Sequence, residues 1–95
     1  MRILIVEDNR RLAESLKDIV KSLRYESDIS PEGPEGLDRM MSGLYDGVIL
    51  DVMLPGMDGL ELLKKARSAG NGTPVLMLTA KSDTEDKVAG LDAGA

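Results

Sequence analysis

The sequence predicts an α/β fold, a doubly wound parallel sheet with helices on both faces. Three observations carry this. The runs "ILIVE" (3–7), "GVILD" (47–51) and "PVLMLTA" (74–80) are short, continuous and apolar, as strands buried on both faces are. Stretches with apolar residues at helical spacing lie between them. The two kinds of segment alternate along the chain, which is the pattern of a parallel sheet with helical crossovers.

Each element has its own justification. The β-branched residues of 3–7 favour a strand, and Asp8-Asn9 then offers helix caps. Leu12, Leu16, Ile19, Val20 and Leu23 share one helical face, so about 10–23 reads as an amphipathic helix. "YESDIS" (25–30) is a polar strand suited to a sheet edge, and "PEGPEG" (31–36) is a turn. Pro34 suits the first position of a second helix over about 34–44, which Gly36 weakens. After strand 47–51, Asp58-Gly59 precedes a third helix, "LELLKKARSAG", that stops at Gly70. Strand 74–80 follows, and Asp83 is placed to cap a short last helix, 84–93. Gly47 opens a buried strand where a larger residue would pack better.

Composition narrows the function. The chain has 95 residues, so it is one domain at most, with 42% apolar and 31% charged residues. There is no Trp or Phe and there are two Tyr, so the core is aliphatic and stacking on single-stranded bases is disfavoured. A net charge of −5 without a basic run argues against nucleic-acid or anionic-membrane surfaces on this chain. The absence of Cys and His excludes disulfides, thiolate metal sites and histidine acid–base chemistry. No apolar run has the length of a membrane span, and Met1-Arg2 leads into a strand without a signal peptide; cytoplasmic location is the expectation.

A sheet wound in the order 2-1-3-4 is flavodoxin-like and reverses its winding between the first and third strands, where such sheets bind ligands at their carboxyl ends. A fifth strand is common in this arrangement. Four are counted here, so the expectation is that a terminal fifth βα unit is missing. The first strand ends in Glu7-Asp8, the third in Asp51, and the fourth in Thr79-Ala80. Singly, each has a simpler explanation: Asp8 as a cap, Asp51 as the start of a loop, Thr79 as packing. Together they put three like charges and a hydroxyl at one edge, an arrangement that costs stability unless it is used. Oxygen ligands of this kind suit Mg²⁺. A carboxylate is already ionised at neutral pH and can act as a nucleophile, so phosphoryl transfer onto Asp51 is the natural reaction.

"ILIVEDN", "VILDVMLPGMDG" and "PVLMLTAK" resemble the receiver domain of two-component response regulators, closest to the OmpR-like group, over the whole chain. The resemblance implies that Asp51 is a phosphoacceptor fed by a histidine kinase. It further implies that Asp8 is a direct Mg²⁺ ligand with Glu7 nearby or acting through water, and that the Met53 carbonyl is another ligand. Thr79 would be the switch hydroxyl and the Ala80 amide would bind a phosphoryl oxygen; Met53 and Lys81 would influence how long the phosphoryl group survives. It also implies a DNA-binding output domain downstream and a regulatory rather than enzymatic role. Pro55-Gly56 and Asp58 read as turn and cap, and Met53, Leu54 and Met57, with the first helix, as a docking surface for a kinase helix, with core packing the alternative for Met57.

The resemblance also marks a departure. Family members continue past "GLDAGA" into a fifth strand ending in Lys-Pro and a fifth helix. Two expectations follow: impaired phosphorylation, leaving an interaction module, and "PVLMLT" as an exposed edge that invites dimers or strand swapping. Two further readings are disfavoured. A Mg²⁺-dependent aspartyl phosphatase of the haloacid-dehalogenase type needs a second Asp where Met53 stands, and a nucleotide or flavin site needs a glycine-rich loop where "EDNRRL" stands.

Overall fold

The computed structural model describes residues 1–78 and the backbone of 88–91. The elements are β1 (Arg2–Val6), α1 (Arg10–Ser22), β2 (Glu26–Ser30), α2 (Gly33–Met41), β3 (Gly47–Asp51), α3 (Gly59–Ser68), β4 (Val75–Leu78) and β5 (Val88–Leu91). The sheet order is β2-β1-β3-β4-β5, and the first four strands are parallel. The predicted 2-1-3-4 flavodoxin-like sheet is therefore present.

Winding reverses between β1 and β3. Right-handed crossovers then require α1 on one face and α2 and α3 on the other. The packing follows this. Leu4, Val6, Val48, Leu50, Val75 and Met77 face Met40 of α2 and Leu62, Leu63 and Ala66 of α3. Ile3, Ile5 and Ile49 face Ala13, Leu16 and Val20 of α1. Alternate residues of each strand thus serve opposite cores, which is why those strands are apolar throughout. Tyr45 adds the one aromatic side chain of the larger core. Its hydroxyl donates to Asp28 at 2.7 Å, while Arg2 pairs with both Asp28 and Glu26. The Tyr45 hydroxyl, and then Arg2, hold the Asp28 carboxyl below its ordinary range.

Helix ends follow local chemistry. Asn9 caps α1, its Oδ1 accepting from Leu12 N–H at 3.0 Å. Asp58 caps α3 through Glu61 N–H at 2.8 Å, and Gly70 leaves that helix at φ 84°. Pro34 lies in the first turn of α2, where no N–H is needed.

The last expected element is corrected. Residues 88–91 do not join a helix over 84–93; they form β5, antiparallel to β4, with Leu76 opposite Leu91 and Met77 opposite Gly90. A bare β4 would present unpaired backbone groups beside apolar side chains. Pairing satisfies those groups, whereas an isolated ten-residue helix is marginal. Strand β4 is consequently not the exposed edge expected of "PVLMLT".

Glycines in and beside α2 answer a packing demand rather than weakening a helix for nothing. A Cβ on Gly36 would lie 2.7 Å from Val6 Cγ1, and one on Gly33 would lie 2.5 Å from the Met57 carbonyl oxygen. A Cβ on Gly47 would sit 3.3 Å from Ile3 Cδ1, which accounts for a small residue at the start of β3. Gly33 N–H also donates to Pro55 O at 3.2 Å, so α2 is docked directly on the β3–α3 loop. We predict that Gly33→Ala destabilises the fold by about 1–3 kcal/mol, the usual cost of overpacking. Urea unfolding should show a lowered midpoint at unchanged slope; an unchanged midpoint would refute the contact.

Candidate functional site

Parity and register build the site. Ile5 pairs with Ile49 and Val6 with Leu50. One step further along the two strands stand Glu7 and Asp51. Each lies two residues beyond an α1-facing isoleucine, so the period-2 alternation aims both carboxylates to the α1 side of the carboxyl rim. Backbone bonds fix both positions: Glu7 N–H donates to Ser30 O at 3.0 Å, and Val52 N–H to Leu78 O at 2.9 Å. Asp8 follows in the loop before α1. Since Asn9 takes the cap, Asp8 is not used for it.

The result is a cluster. One carboxylate oxygen each from Glu7, Asp8 and Asp51 lies within 4.8 Å of the other two. These residues, with Asn9, Leu12, Met53 and Leu78, line a cavity of about 430 Å³. Glu7 and Asp51 are buried, at 3% and 7% exposure, and Asp8 is exposed. Asp51 Oδ1 accepts from Met53 N–H at 3.3 Å. Glu7 Oε2 accepts from Asn9 N–H at 2.9 Å, and Glu7 Oε1 is buried without a hydrogen-bond partner. Burial, opposed by the Asn9 N–H and reinforced by the Asp51 charge, pushes the Glu7 carboxyl up to about 7.

Oxygen-only donors, excess negative charge and an orphaned buried carboxylate oxygen together fit a small hard divalent cation of the Mg²⁺ type. The structure thus brings together Glu7, Asp8, Asp51 and the Met53 backbone segment. Thr79, Ala80 and Lys81 lie outside the described residues. Of the suggested docking side chains, Met53 is exposed, whereas Leu54 and Met57 pack against the larger core. Two residues that shape the site escaped the sequence reading. Asn9 reads there only as a cap, yet its N–H holds Glu7. Gly59 reads only as a helix start, yet a Cβ there would strike the Asp51 carbonyl.

The family model described as the response regulator receiver domain matches residues 3–95. The chain belongs to this family. Among curated relatives, this receiver domain is 48% identical over 95 residues to the transcriptional regulatory protein DltR of Streptococcus agalactiae. It is 49% identical over 94 residues to the response regulator ArlR of Staphylococcus aureus and 44% identical over 95 to MprA of Mycobacterium avium. It is covered over 99–100% of its length but spans only 42% of theirs. Among solved structures, the Francisella response regulator 1452 receiver domain matches 90% of the chain and 71% of its own, with a TM-score of 0.81 and 30% identity. The response regulator TrrA of Thermotoga maritima, solved in complex with Mg²⁺-BeF, matches 85% of this chain and 70% of its own, with a TM-score of 0.79 and 40% identity. Among the described residues, no helix is long and apolar enough to cross a membrane.

The raised Glu7 pKa gives the metal-free receiver a pH signature. Below about 4.5, the ordinary value, Glu7 is protonated folded or unfolded, and the stabilising contribution is complete. As pH rises to about 7, the unfolded chain ionises more readily, and the contribution is lost. The Asp28 shift runs the other way, but its window lies below 3.8. Melting temperature without metal should therefore fall by several degrees between about pH 5 and pH 8, and Glu7→Gln should flatten that slope. A slope equal in wild type and variant would show that Glu7 is not its source.

Proposed function

We propose that this receiver accepts a phosphoryl group on Asp51 from a histidine kinase, and that the modified state controls a DNA-binding output domain in the full-length protein. The observation that carries the reading is the buried Asp51 carboxylate within the three-acid cluster.

In this reading Glu7, Asp8, Asp51 and the Met53 carbonyl hold Mg²⁺. The bound cation supplies charge screening between the carboxylate and the phosphoryl oxygens. The chain's own groups do the rest. Met53 N–H orients the Asp51 carboxylate. An Asp51 oxygen attacks phosphorus, an acyl-phosphate bond forms, and the phosphorus–nitrogen bond to the donor histidine breaks. The electron pair returns to the imidazole, which takes a proton from water. Thr79, immediately after β4, contributes the switch hydroxyl, and the Ala80 amide donates to a phosphoryl oxygen. DltR, ArlR and MprA carry names of transcriptional regulators or response regulators, which supports a transcriptional output.

Two outcomes test this. Incubation with Mg²⁺ and acetyl phosphate should give a phosphoryl adduct in the intact mass that Asp51→Asn abolishes. An adduct that persists in the variant overturns the assignment of Asp51; no adduct on the wild type supports the interaction-module alternative instead. Separately, Mg²⁺ at about 100 times its Kd should raise stability by about 2.7 kcal/mol, since only the native cluster binds it. Asp51→Asn should raise the metal-free melting temperature by relieving repulsion. If neither rise occurs, the carboxylates do not repel one another as placed.

A further inference from the structure

We infer that Asn9 is a positioning residue for the cation site, acting through Glu7; this rests on the reading of the acid cluster as a Mg²⁺ site. Three polar groups of Asn9, its N–H, its Oδ1 and its carbonyl, make hydrogen bonds. Its N–H donates to Glu7 Oε2 at 2.9 Å, its Oδ1 accepts from Leu12 N–H at 3.0 Å, and its carbonyl accepts from Ala13 N–H at 2.9 Å. The last two bonds belong to the first turn of α1. They hold Asn9 at φ −77°, ψ 108°, the extended conformation of a helix cap.

That conformation is what aims the N–H at Glu7. With Oε2 held, Glu7 Oε1 is buried without a hydrogen-bond partner, and its carboxylate clusters with those of Asp8 and Asp51. The hydrogen bond to Glu7 comes from the backbone N–H of Asn9, while its side-chain oxygen bonds Leu12. The side chain acts by fixing that backbone, so the cap of α1 and the aim of a candidate ligand are one structural event. The residue type fits. Asp would cap as well but would bring a fourth negative charge to Glu7, Asp8 and Asp51. Asn caps without charge.

The test separates positioning from helix stability. Gly at a cap position costs only a few tenths of a kcal/mol but leaves the backbone unrestrained. Ser restores the capping oxygen. Mg²⁺ affinity is measured by isothermal titration calorimetry, and metal-free melting is recorded for the same samples. Asn9→Gly is expected to weaken Mg²⁺ binding about tenfold, in the range found for groups that orient metal ligands, with little change in melting temperature. Asn9→Ser is expected to bind within about twofold of wild type. Wild-type affinity in Asn9→Gly, or weakened affinity in Asn9→Ser at full stability, overturns the positioning role alone. Absence of Mg²⁺ binding by the wild type overturns the cation reading and this inference with it.

Discussion

The parallel ladder between β1 and β3 sets Val6 beside Leu50, and its next step brings Glu7 to Asp51. The rest of the molecule depends on that pairing. It is where the winding reverses, so it decides that α1 covers one face while α2 and α3 cover the other. It also decides side-chain parity. A slip of one residue would turn Asp51 away from Glu7 and would move Leu50 from the α2–α3 core to the α1 face. Core and site therefore enforce one register, and neither can be changed without the other.

The same ladder imposes a conflict. Two carboxylates at its end are buried beside each other, and the pair is closed by exposed Asp8. Nothing cationic among the described residues neutralises them; the ion pairs of Arg2 and Arg39 are made with Glu26, Asp28 and Glu35. Glu7 answers the conflict by resisting ionisation, the behaviour expected of a buried acid near a like charge. A perturbed acid of that kind, set in a cavity, marks a candidate functional site.

Much of this was legible before any coordinates. Continuous apolar runs gave β1, β3 and β4, helical spacing gave α1, cap and stop residues gave α3, and strand order sent Glu7, Asp8 and Asp51 to one rim. The misses share a physical origin. Periodicity reports which face of an element is apolar but not what a neighbouring strand leaves room for, so Gly36 looked like a weak point in α2 when it is the clearance for the Val6 side chain. Residues 88–91 carry a short apolar pattern that fits helix or strand, and the choice is made by the bare side of β4, a partner some ten residues away in sequence. Asn9 looked complete as a cap because its second bond runs through its backbone N–H, a group every residue but proline has. None of these three features shows in a side-chain pattern: one is a close approach to Val6, one a strand pairing, and one a backbone N–H.

Main-chain contact also explains how a thin aliphatic core can hold a site to the tolerance that chemistry demands. Gly33 meets the Met57 backbone, Gly59 meets the backbone of Asp51 and Val52, and Gly36 meets Val6, one residue before Glu7. Gly33 and Gly59 thereby meet backbone directly, and each of the three glycines touches a segment that carries or adjoins a site residue. Gly59 N–H donates to Val52 O at 2.7 Å, which closes the loop after Asp51 onto the start of α3. Met53, between those anchors, has its side chain in solvent while its N–H stays on Asp51. The loop's backbone is thus held from both sides. The exposed Met53 side chain can therefore change without moving the backbone N–H that holds Asp51.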